Sequence, residues 1–199
     1  KYIALLFEIR DRGNPTNDSS VKAVGLTAET VLSHLVSNQL LEFIPDQMCD
    51  LAAKGVVDAQ TLDSYIQGRA VHSRRFDQIY NSYIQGLRGE IAEKLFSELS
   101  KPQNSNNTVL NVLKVLRGLV KLNDENKSSI TAQNGISVLF KVLDERNNDE
   151  DISNVVAETL ASLASHMTTS FTIEQLIRLA ALGKPSFAVS GLKMRSSNI

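Results

Sequence analysis

The chain is 199 residues long, 42% hydrophobic, and carries 21 basic against 22 acidic side chains for a net charge of −1. That length admits one large core or a short array of small units, and the balanced charge argues against chain-wide attraction to nucleic acid or an anionic membrane. The lone cysteine, Cys49, excludes an internal disulfide and a cysteine-built zinc cluster.

A single thiol suits a reducing compartment, and a cytoplasmic location is expected. The apolar run Tyr2–Phe7 is far too short to span a bilayer, so no membrane is expected as a partner. The chain opens on Lys1 and is read as a segment of a longer protein.

Prolines number only four, and apolar residues recur mostly at three- and four-residue spacing, the mark of helices. In chain order, residues 13–20 are turn-rich. From Thr27, the residues Val31, Leu32, Leu35, Leu40, Leu41 and Ile44 fall on helical faces, with a break near Asn38 and a stop at Pro45. A short helix follows and ends at Gly55, since glycine accepts the left-handed geometry of a helix terminator. Asp58 is placed to cap the next helix, which carries Leu62, Tyr65 and Ile66.

The pentapeptide Ser-Tyr-Ile-Gln-Gly occurs at 64–68 and again at 82–86. Glycine inside a helix costs about 1 kcal/mol relative to alanine, so both copies are read as helix ends, near Gly68 and Gly86. A more telling repeat lies at an offset of 44. Residues 95–120 align without a gap on residues 139–164, pairing Leu95 with Leu139, Phe96 with Phe140 and Leu99 with Leu143. A polar loop follows in each copy, and then Val112 pairs with Val156, Leu116 with Leu160 and Leu119 with Leu163. Between the copies, residues 123–135 supply a turn, a short helix through Ile130, and a break at Asn134-Gly135. A coinciding apolar pattern and loop length at this period is what stacked helical units require.

Residues 115–145 resemble an armadillo repeat: a leucine-rich helix, then Glu125-Asn126-Lys127, the Asn134-Gly135 turn, and the series Ile136, Leu139, Leu143. The resemblance covers residues 87–165 best. It implies an all-α, right-handed helical solenoid of about three to four repeats. Residues 1–86 would form a divergent N-terminal helical portion, 87–183 the repeats, and 184–199 a linker or capping segment. Phe187, Val189, Leu192 and Met194 make that last segment apolar enough to dock. In relatives that clamp extended peptides, such as the nuclear import adaptors and catenins, the third helix resembles "ALSNLA" and its asparagine holds the peptide. Gly118 and Ser162 stand at that position here, so the asparagine ladder is missing from both units.

Chemistry is sparse in the sequence. Phosphate-loop, zinc-protease and nucleophile-elbow motifs are missing, and His34, His72 and His166 lie in separate segments without ligand spacing. Cys49 reads as a small buried apolar residue. Asn17, Asn106 and Asn126 begin Asn-x-Ser/Thr triplets of a kind common by chance and are read as unmodified. No enzyme activity, cofactor or metal is expected.

Two basic features remain. Arg69, Arg74 and Arg75 cluster with His72 in a connection between helices, where forked guanidinium donors suit an acidic partner or phosphate. Lys114, Arg117 and Lys121 form a stripe on the helix from about Asn107 to Leu122. Its equivalents one repeat later are Glu158, Ala161 and Ser165, so the stripe does not continue. The resemblance puts these third helices on the concave surface of the stack. Lys114, Arg117, Lys121, Glu158 and Ser162, with Arg69, Arg74 and Arg75, are the candidate partner-binding residues.

The expected function is a non-enzymatic scaffold presenting a curved helical surface to a protein, with an acidic partner one option. The resemblance leaves open a regulatory domain of a cytoskeletal or motor-associated protein, formin-like or of the UCS myosin-chaperone kind. A non-catalytic part of a larger enzyme also stays open, as does a homodimer through an exposed repeat end.

Overall fold

A computed structural model describes residues 6, 8, 9, 30–32, 35, 43–71, 77–166 and 170–183. Among them the chain is helical throughout, with no strand. The longer elements are α1 (Pro45–Ala53), α2 (Ala59–Val71), α3 (Asp77–Leu99), α4 (Asn106–Leu122), α5 (Asp124–Ala132), α6 (Gly135–Glu145), α7 (Glu150–His166) and α8 (Ile173–Ala181).

Local chemistry sets the helix starts. Asp58 Oδ1 accepts from the Thr61 amide at 2.8 Å, Ser105 Oγ from the Thr108 amide at 3.2 Å, and Asp149 Oδ1 from the Ile152 amide at 3.1 Å. Each satisfies an amide that a helix start leaves without a partner. Thr172 and Gln175 cap α8 reciprocally, at 3.1 and 2.9 Å. The short connections end as expected: Gly55 takes φ +77° after α1, and Asn134 takes φ +59° between α5 and α6.

The 44-residue offset recurs in the helices themselves. α7 begins and ends 44 residues after α4, and their capping residues, Ser105 and Asp149, are separated by the same interval. Both members of every apolar pair in the alignment, from Leu95 with Leu139 to Leu119 with Leu163, are buried. α4 packs against both α2 and α7, with the contact to α7 the most extensive among the described elements, while α3 packs against α1, α5 and α6. α4 alone buries Val109, Val112, Leu113, Val115, Leu116, Leu119 and Val120, each stabilising by about 1–3 kcal/mol.

One expectation fails. α3 runs from Asp77 to Leu99 and passes through Gly86, so no helix ends there. The position 86/87, expected as the start of the repeats, lies inside that helix. Ile84, Leu87 and Ile91 flank Gly86 and are buried, and their burial outweighs the local cost of one glycine. α2 likewise continues past Gly68 to Val71. The break expected near Asn38 and the segment 184–199 lie outside the described residues. No helix among the described residues is long and apolar enough to cross a membrane.

Candidate functional site

The stripe on α4 and its neighbours on α7 come together. Arg117 Nη1 donates to Glu158 Oε2 at 2.9 Å, and Lys121 Nζ lies 3.8 Å from the same oxygen. Glu158 occupies the position on α7 that corresponds to Lys114 on α4. One carboxylate therefore ties the stripe to the next helix. All three groups keep about a third or more of their side-chain surface in water, so the pair adds at most about 1 kcal/mol to stability. Its main effect is geometric: it fixes two adjacent helices in one charged face. Lys114 is exposed and has no ion pair or hydrogen bond among the described residues.

The missing asparagines have a structural setting. A Cβ on Gly118 would lie 2.3 Å from Ala59 Cβ, because the start of α2 packs directly on α4 there. No side chain fits at position 118 without separating the two helices. Ser162 on α7 is half-buried.

α2 is also fixed to the end of α4 by a polar cluster. Asp63 Oδ1 accepts from Asn123 Nδ2 at 3.3 Å and from Asn126 Nδ2 at 3.0 Å, and the Leu119 carbonyl accepts from Asn126 at 3.2 Å. Asn126 is thereby buried and committed to the fold. Equivalent loops of the two units join as well: Asn106 Nδ2 donates to Asp149 Oδ2 at 2.8 Å, and Arg146 Nη2 to the Asn104 carbonyl at 3.1 Å.

Of the arginine cluster, Arg69 donates from Nη2 to the Phe43 carbonyl at 2.7 Å, with its guanidinium 5.3 Å from the Tyr65 ring centre. Those contacts hold it against the fold. Arg74, Arg75 and His72 lie outside the described residues, as does His34, and His166 is the last residue of α7. Among the described residues no group of three or more His, Cys, Asp or Glu side chains is placed to hold a metal ion. Cys49 is 2% exposed, and burial pushes its thiol up to about 12, so it stays protonated and inert at neutral pH.

Asn111 was not singled out by sequence reasoning. Its Nδ2 donates to the Ala53 carbonyl at 3.3 Å and so fastens the α1–α2 turn to α4. Nothing local marks it, since its partner is 58 residues away in the chain. No protein-family model matches this chain, and no curated protein matches it either.

Proposed function

We propose that this chain is a non-enzymatic interaction module: an armadillo-like, right-handed stack of three to four units whose α2–α4–α7 face meets a protein partner in the cytoplasm. On this reading α1 and α2 close one unit, α3 and α4 the next, and α5, α6 and α7 a third, with α8 beginning or capping a fourth. The equal spacing of α4 and α7 and the burial of every paired apolar position support the stack. The observation that carries the functional reading is the bridge from Arg117 and Lys121 to Glu158. It joins candidate residues from two units into one continuous surface, as a scaffold needs.

The test is affinity capture from lysate of the source cells, using wild type beside Lys114→Glu/Arg117→Glu. Both side chains are at least partly exposed, so the variant should stay folded, with a loss of about 1 kcal/mol from breaking the Arg117–Glu158 pair and placing two carboxylates together. A partner retained by wild type and lost by the folded variant is the expected result. Equal recovery by both moves the surface off α4.

A further inference from the structure

Beside the point where Ala59 meets Gly118, α2 and α4 part to leave an open cleft of about 300 Å³. That volume is at the lower end of what ligand-binding clefts enclose. Its base is apolar, with Val57 and Val115 buried, and its rim carries Lys114, Asp58 and Asn111. Three features define what fits. Lys114 contributes a cation with no acidic partner among the described residues, whereas Arg117 and Lys121 share Glu158. Asn111 donates to the Ala53 carbonyl, and its Oδ1 receives no hydrogen bond among the described residues. Asp58 holds the start of α2 and keeps a negative charge on the rim, which opposes any anion beside it and costs a doubly charged phosphate about twice what it costs a single carboxylate.

We propose that this cleft receives one carboxylate side chain from an extended polypeptide, which meets Lys114 while Asn111 and Asp58 accept backbone N–H groups of the same segment. The inference rests on the interaction-module reading and names the chemistry of its partner. It differs from the clamp of peptide-binding armadillo proteins, because the corresponding position, Gly118, is closed by Ala59. The opening lies one helical turn earlier, where the α1–α2 turn faces α4.

The experiment measures fluorescence anisotropy with three labelled, capped nonapeptides, identical except for glutamate, glutamine or phosphoserine at every third position, at low salt. The glutamate peptide is expected to bind wild type at least tenfold more tightly than the glutamine peptide. Lys114→Gln should remove that preference, Lys114→Arg should retain it, and Arg117→Gln should change it less than twofold. Circular dichroism confirms that each variant is folded. Equal binding of the glutamate and glutamine peptides overturns the inference. So does a preference that survives Lys114→Gln, or tighter binding of the phosphoserine peptide. Should the lysate partner depend on α4 while the glutamate peptide fails, the module reading stands and the cleft assignment falls. A Lys114-dependent peptide preference without any α4-dependent partner gives the reverse.

Discussion

At the residue scale, three acceptors begin the helices of one layer: Asp58 for α2, Ser105 for α4 and Asp149 for α7. Asp58 was legible because a short acidic side chain before an apolar helical run has few better uses. Asp58 also supplies a pH signature. Hydrogen bonds from the Thr61 amide, then from its hydroxyl, hold the Asp58 carboxyl below its ordinary value. A depressed folded value means that the ionised cap stabilises above the ordinary value and is lost as pH falls through the folded one. Asp58→Ala should therefore cost about 1 kcal/mol at neutral pH, with the gap to wild type narrowing below about pH 4. Thermal unfolding of both proteins across that range checks it, and a gap independent of pH would assign the loss to packing.

Two glycines inside helices separate propensity from packing at the element scale. Gly86 on α3 has nothing within 4 Å of where a Cβ would stand, whereas at Gly118 on α4 that position is 2.3 Å from Ala59 Cβ. Gly86→Ala should stabilise by about 0.5–1 kcal/mol, since only the helix propensity of the residue changes. Gly118→Ala should destabilise by about 1–3 kcal/mol through overpacking, and Ala59→Gly should restore part of the loss. Denaturant titration of the four proteins reads all of these. Sequence alone ranks both glycines as breaks or costs, and for that reason it placed a helix end at Gly86. What decides the matter is the neighbouring helix: at Gly86 it buries the flanking apolar residues and leaves the glycine outside, and at Gly118 it demands the glycine.

Across the whole molecule, the helical periodicity, the α5–α6 break and the 44-residue spacing were legible, because each is written in local patterns of three to four residues and then repeated. The stripe Lys114, Arg117, Lys121 was legible for the same reason. Its bridge to Glu158 was not, because the sequence places Glu158 on the same face without showing that Arg117 and Lys121 reach it from the neighbouring helix. Nor was the cleft, whose walls come from a turn and a helix more than fifty residues apart.

The central claim is that one 44-residue unit, repeated, builds both the core and the charged face. Deleting residues 123–166 removes one full period and joins Leu122 to Met167, so that α8 follows α4 as it now follows α7. In a stack stabilised by nearest-neighbour contacts, this shortened chain should still melt in one cooperative transition, at a lower temperature and with its helical signal intact. Deleting residues 123–144, half a period, should abolish the transition. Loss of cooperative melting in the full-period deletion as well would contradict the repeat.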